Sequence, residues 1–196
     1  MAETANEIIR DALASYGLEA LLNNEELDLV NLYQDTADLN AVWVRIKQSQ
    51  EYVDRFPGMA ALAAAGRAIS EETYVAAERQ YAFAMSLYGL PANFYDGPED
   101  FGNLIAGDVA PNELTARLSL ASEAAISVPA EVKQQLEDYY GITEQDLTAY
   151  YLDPERATNI FEERERFGAA QIGGAAMQTG MGPITRETAE RISASG

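Results

Sequence analysis

Residues 70–89 read Ser70-Glu71-Glu72-Thr73-Tyr74-Val75-Ala76-Ala77-Glu78-Arg79-Gln80-Tyr81-Ala82-Phe83-Ala84-Met85-Ser86-Leu87-Tyr88-Gly89, and this stretch decides the fold class. Tyr74, Ala77, Tyr81, Ala84, Met85 and Tyr88 recur at helical spacing along it, with no period-2 alternation to suggest a strand. Ser70-Glu71-Glu72-Thr73 places acid in a first turn, where carboxylates meet the positive end of a helix. Gly89 supplies a C-terminal stop. The reading is one long helix.

The same grammar repeats outward in both directions. Glu3 to Ser15 sets Ile8, Ile9, Ala12 and Leu13 on one stripe, with Gly17 as its stop. Asn24 is read as the cap of a second helix through Leu27, Val30 and Leu32. Asp38 is read as the cap of a third through Val42, Trp43 and Ile46, although Val-Trp-Val also has strand propensity. Arg55-Phe56-Pro57-Gly58 breaks the chain before a short Ala-rich helix from Met59 to about Gly66. Pro98, Pro111, Pro129 and Pro154 each mark a helix start, since proline tolerates the missing donor there. Tyr16-Gly17-Leu18, Tyr88-Gly89-Leu90 and Tyr140-Gly141-Ile142 read as Gly C-caps, each followed by an apolar residue that packs back.

The fold class read from this pattern is all-α: an irregular orthogonal bundle of about eight to ten short helices. Its domain organisation is a helical domain over residues 1–166. A Gly/Ala-rich segment follows over 167–196, packing on a neighbour or flexible. Gly173 and Gly174 weaken helix propensity by roughly 1 kcal/mol each relative to alanine. Ala169, Ile172, Ala176 and Met177 nevertheless keep a helical stripe there. Close approach of another backbone is the simplest compensation, and a neighbouring subunit is the expected source.

The 196 residues carry 32 acids against 13 bases, for a net charge of −19. A surface of that sign repels nucleic acid and anionic lipid, so neither a nucleic acid nor a membrane is an expected partner. The bases are eleven arginines with Lys47 and Lys133; that bias and abundant alanine suggest a GC-rich coding genome. There is no cysteine and no histidine. Their absence excludes disulfide scaffolds, Cys/His zinc sites, Cys nucleophiles and Ser-His-Asp triads. No stretch is long and apolar enough to span a bilayer, and no leader pattern stands at the first residues. Synthesis in a cytoplasm is expected.

Paired carboxylates are plentiful: Glu25/Glu26, Glu71/Glu72, Glu99/Asp100 and Glu162/Glu163/Glu165. Two carboxylates suffice for glycoside hydrolysis, the enzyme class that a histidine-free chain least forbids. Helix first turns and solvated faces explain the same acids. Asp96-Gly97-Pro98-Glu99-Asp100 fails as an EF-hand loop, with Phe101 at the sixth position and Gly107 at the twelfth. The glycines form no phosphate loop. No catalytic, metal-binding or cofactor-binding residue is assigned. The aromatic group Tyr88, Phe94, Tyr95 and Phe101 is read either as a partner surface or as core beneath an irregular loop.

Four segments carry a family resemblance: Arg55-Phe56-Pro57-Gly58-Met59 with Gly66 to Tyr74, then Tyr88 to Phe101 with Asp108 to Leu114, Tyr151 to Ala157, and Ala170 to Ala176. This run, over roughly residues 40 to 180, resembles a helical virion protein of tailed bacteriophages that infect actinobacteria. The resemblance implies a minor tail or other virion structural component, present as repeated copies, with other virion proteins and copies of itself in a ring as partners. It implies no catalytic residues. The candidate partner interface is therefore Tyr88, Phe94, Tyr95, Phe101, Ala169, Ile172, Gly173, Gly174 and Ala176. The alternatives are a carboxylate-only cell-wall hydrolase in the virion and an acidic scaffold or assembly factor.

Overall fold

A computed structural model describes residues 4–92, 94–159 and 164–195. The acids Glu162 and Glu163, the side chain of Glu165, and Asn93 lie outside the described residues. Among those described the protein is all-α, with twelve α-helices, two short 3-10 turns and no strand. The chain divides into two compact units: Met1–Gln80 with Gly97–Ala110, and Tyr81–Asp96 with Pro111–Gly196. The boundary expected at residue 166 is not where the contacts divide, because residues 167–195 pack as part of the second unit.

In the first unit the local signals decide the helix ends. Helix α1 (Ala5–Ala14) opens on a capping box: Glu7 N–H donates to Thr4 Oγ1 at 3.3 Å, and Thr4 N–H donates to Glu7 Oε2 at 2.8 Å. Its Ile9 and Leu13 are fully buried. Gly17 ends the segment at φ +72°, and Leu18 N–H reaches back to the Leu13 carbonyl at 3.0 Å. A 3-10 turn follows at Glu19–Asn23. Asn24 does not cap the next helix as expected. Its Oδ1 accepts from Glu26 and Leu27 N–H at 3.0 and 3.2 Å, which builds a turn instead. Asp28 then takes φ +44°, a conformation that no helix continues through, so α2 begins only at Leu29 (Leu29–Thr36).

Asp38 caps α3 (Leu39–Ile46) as expected, accepting from Asn40 N–H at 2.8 Å. Val42 and Ile46 turn inward while Val44 stays exposed, so the Val-Trp-Val segment follows the helical period and not the strand one. Trp43 meets the Tyr16 ring edge-on, centroids 5.1 Å apart. Helix α4 (Gln50–Arg55) is capped by Ser49 and leads into Pro57 and α5 (Met59–Ala64). Helix α6 (Glu71–Leu87) starts where Ser70 Oγ accepts from Thr73 N–H at 3.2 Å. Helix α7 (Pro98–Ala106) has proline at its first position.

One side chain gathers these pieces. Arg55 donates Nε–H to the Tyr16 carbonyl at 2.9 Å, and its two Nη groups meet both oxygens of Glu78 on α6 at 2.8 and 2.7 Å. Its guanidinium also lies 4.8 Å from the centroid of the Phe56 ring. Phe56 in turn stands between Tyr52 and Tyr74, at 5.0 and 5.2 Å. Nearby, α5 and α7 touch backbone to backbone. A Cβ on Gly58 would stand 2.7 Å from the Gly102 carbonyl oxygen, and one on Gly102 would stand 2.6 Å from Pro57 Cγ.

In the second unit, α8 (Pro111–Ser127), α9 (Ala130–Tyr140) and α10 (Glu144–Leu152) surround a core of Ala125, Val128, Val132, Leu136, Ile142, Leu147 and Ala170. Gly141 at φ +68° lets Ile142 N–H return to the Leu136 carbonyl at 3.2 Å, the device seen at Gly17. Asp153 caps only a 3-10 turn, Arg156–Asn159, through the Arg156 N–H. Helix α11 (Arg164–Gln178) lies on α9, and α12 (Arg186–Ser193), capped by Thr185, lies on α11.

Truncating Arg55 should leave the Glu78 carboxylate buried without its partner. We expect Arg55→Met to lose about 3–5 kcal/mol in urea unfolding. The double variant Arg55→Met/Glu78→Met should recover most of that loss. Equal losses in the single and double variants would show that packing, not the ion pair, dominates this position.

Candidate functional site

The expected interface residues of the C-terminal segment are packed inside their own chain. Ala169 and Ala176 are buried, Ile172 is half-buried, and Gly173 and Gly174 are buried against α9. A Cβ on Gly174 would stand 3.0 Å from Val132 Cγ2 and 3.1 Å from Val132 N. One on Gly173 would stand 2.7 Å from Tyr139 Oη and 2.9 Å from Gln135 Oε1. Close approach of a second backbone is therefore what Gly174 permits, while Gly173 leaves room for the Tyr139 and Gln135 side chains. The approaching backbone is α9 of the same chain, not that of a neighbouring subunit. Tyr139 adds a hydrogen bond to the Ile184 carbonyl at 2.8 Å, and Tyr140 one to Glu190 at 2.9 Å, which fastens the end of the chain to α9.

The aromatic group is shared between the two units. Phe101 is buried in the first unit, and Tyr88, Phe94 and Tyr95 belong to the second. Phe94 is core, packed with Ala149 and Ala157. Tyr88 and Tyr95 are half-buried. Tyr95 takes φ +55° and is held there by a 2.6 Å hydrogen bond to Asp153 and by the Arg156 guanidinium 4.4 Å from its ring centroid. The partner-surface reading of this group thus gives way, at Phe94 and Phe101, to burial in the core of each unit.

In two of the carboxylate pairs one member has a local structural role. Asp100 accepts from Gly97 N–H at the start of α7. Glu71 meets Lys47 Nζ at 2.6 Å and accepts from Tyr52 Oη at 2.6 Å. Burial pushes the Glu71 carboxyl up, but Lys47 and Tyr52 outweigh it and hold the group below the usual carboxylate range. That is the wrong direction for a general acid, which must stay protonated near neutral pH.

The described residues also form concave surfaces. A cavity of about 570 Å³ in the second unit is lined by Tyr140, Arg166, Arg186, Glu187, Glu190, Arg191 and Ala194. Its three arginines face two glutamates. Arg186 Nε lies 3.5 Å from Glu190, and Arg166 covers the Tyr140 ring at 5.4 Å. The Glu187 carboxyl is held low by backbone N–H at the start of α12 and by Thr185. The lining is close to charge-balanced, and the lowered Glu187 carboxyl is shifted away from general-acid use.

A groove of about 370 Å³ in the first unit is lined by Lys47, Tyr52, Val53, Phe56, Pro57, Met59, Ala60, Ala63, Ala68 and Ile69. It is apolar, and Lys47 is already neutralised by Glu71. Sequence reasoning passed over it, because its walls come from a short helix, a proline turn and a loop. The one available signal was the run 55–70, which contains no acid.

Among the described residues no three His, Cys, Asp or Glu side chains gather to hold a metal ion, and no helix is long and apolar enough to cross a membrane. Compared with known proteins, the chain matches no family model, no curated protein and no solved structure.

Two measurements test this geometry. Gly173→Leu/Gly174→Leu should destabilise the isolated chain, by about 1–3 kcal/mol for each overpacked position. An unchanged urea midpoint would mean that α11 does not pack on α9. The second measurement concerns alkaline pH. Burial, reinforced by Glu71 and Glu190, raises the phenols of Tyr52 and Tyr140 above their ordinary value of 10.0. The folded state therefore keeps protons that the unfolded chain releases above pH 10. Stability from these groups is complete below that pH and falls as pH rises. The fall should be shallower in Tyr52→Phe/Tyr140→Phe than in the parent chain.

Proposed function

We propose that the chain is a non-enzymatic structural component of a bacteriophage virion, in the tail or at the tail–capsid connection, and that it works as repeated copies in a symmetric assembly. The observation that carries this reading is the surface of α6. Phe83 and Leu87 stand one turn apart on it, and each is 65% exposed. Singly exposed apolar residues need no explanation, but two on one helix face mark a contact surface. Between them and around them α6 exposes Ala82 and Ser86 and no acid.

The remaining support is chemical. The acids read as possible catalytic pairs serve as helix caps and ion-pair partners wherever the structure describes their contacts. The resemblance carried by Arg55-Phe56-Pro57-Gly58-Met59 and Tyr88 to Phe101 points to the same class of protein. A net charge of −19 keeps single copies apart in solution until an assembly brings acid-free faces together.

Mass spectrometry of purified particles, from a phage that encodes this chain, tests the proposal. We expect the chain in finished virions at a fixed, repeated copy number. Its presence in precursor particles and loss from finished ones would make it a scaffold. Clearing of cell-wall substrate in a zymogram by the purified chain would make it a hydrolase.

A further inference from the structure

Three of the chain's 13 basic side chains, Arg166, Arg186 and Arg191, line the one cavity of about 570 Å³ in the second unit. Guanidiniums gathered in one concavity repel one another. The two glutamates of the lining, Glu187 and Glu190, offset that repulsion only in part, since three positive charges meet two negative ones. In a chain at −19 this is a local excess of positive charge. The cavity also has the volume of a small-molecule site.

Both glutamates are already engaged. Glu190 accepts from Tyr140 Oη at 2.9 Å and lies 3.5 Å from Arg186 Nε. Glu187 is held by backbone N–H at the start of α12 and by Thr185. Two of the arginines are held in place as well. Arg186 Nη1 donates to the Tyr139 carbonyl at 3.4 Å, and the Arg166 guanidinium lies 5.4 Å from the centroid of the Tyr140 ring. Arg191 differs. It is exposed and has no ion-pair partner among the described residues. Spacing alone predicts one, because Glu187 stands four residues before it, the favourable order for a helical ion pair. Glu187 engages the helix start instead, which leaves the Arg191 fork open on the cavity wall.

We propose that this cavity binds a small molecule through a phosphoryl group, held by Arg186 and Arg191 of α12 and by Arg166 of α11. A guanidinium donates paired N–H groups to oxyanion oxygens, and such charge-assisted bonds are short and strong. The arginines come from two helices, which favours a tetrahedral group over a planar one. A carboxylate presents two oxygens in one plane. A phosphoryl group presents three, enough to accept from α11 and α12 together. The net charge of −19 repels anions at a distance, so contact with these forks supplies the affinity. This inference goes beyond the reading of the chain as a virion component and does not rest on it.

Inorganic phosphate is the probe. It is titrated into the full 15N-enriched chain at neutral pH and constant ionic strength, and the shifts of backbone amides and arginine Nε–H groups are followed. We expect saturable shifts in the millimolar range at Arg166, Arg186 and Arg191 and along the backbone of α12. Acetate at the same ionic strength should give none. Arg191→Gln should weaken phosphate binding about tenfold or more, as loss of a hydrogen-bonding charge does. Arg79→Gln removes the same charge from an exposed position outside the cavity and should leave the affinity unchanged. Glu187→Gln should tighten binding, because it removes a like charge from the lining. These three side chains are exposed, so circular dichroism of each variant should stay helical. Shifts that are absent, spread over arginines outside the cavity or matched by acetate would overturn the phosphoryl site. So would an affinity that Arg191→Gln leaves unchanged, or one that Arg79→Gln lowers equally.

Discussion

A guanidinium that is largely removed from water must find its partners within the protein, and Arg55 finds three. It meets the carbonyl at the end of α1, both oxygens of Glu78 on α6, and the face of Phe56. These groups are 39 and 23 residues away in the chain, apart from the adjacent phenylalanine. The first unit is thus closed by one side chain whose fork geometry only a matching carboxylate and carbonyl satisfy. Gly17 sits against the same arginine: a Cβ there would stand 3.1 Å from Arg55 Nε. The helix stop and the ion pair therefore constrain one another, since the residue that ends α1 must also leave room for Arg55.

The second unit is closed by a different means. There α9 and α11 meet through glycines, and two phenols reach across to Ile184 and Glu190. Phenol–carboxylate bonds recur in both units, at Tyr52–Glu71, Tyr95–Asp153 and Tyr140–Glu190. In a chain with 32 acids and only 13 bases, most carboxylates have no cation to pair with. A tyrosine hydroxyl is the neutral donor that remains, and its ring contributes apolar burial at the same time. The scarcity of bases thus shows in the chemistry of the interior.

How much of this was legible in the sequence depends on range. Signals acting over three or four residues read correctly: Asp38 as a cap, Ser70 to Thr73 as a helix start, Pro98 and Pro111 as helix starts, Gly17 and Gly141 as stops. Asn24 misled because an asparagine that accepts from the next two or three N–H groups builds a turn as readily as a helix. The left-handed Asp28 then cut the segment where nothing in the residue type announces it. Long-range facts were illegible in kind. Gly173 and Gly174 announced a close approach but not its partner, and α9 took the place assigned to a neighbouring subunit. Gly102 gave no signal at all, being an unremarked glycine within α7 until Gly58 is seen against it. Of the candidate interface, the aromatic residues were legible as a group with core as one of two readings, and that reading holds at Phe94 and Phe101, while which members are buried depends on elements far along the chain.

The edge-on contact of Tyr16 and Trp43 has an optical consequence. Trp43 is the only tryptophan, and it lies in the first unit. Indole emission therefore follows the junction of α1 and α3 and is blind to the second unit, whose chromophores are tyrosine and phenylalanine alone. Far-ultraviolet ellipticity weighs the helices of both. Superimposed melting traces from the two signals would describe a single cooperative transition. An indole trace that runs ahead or behind would time the first unit separately, without a label and without cutting the chain.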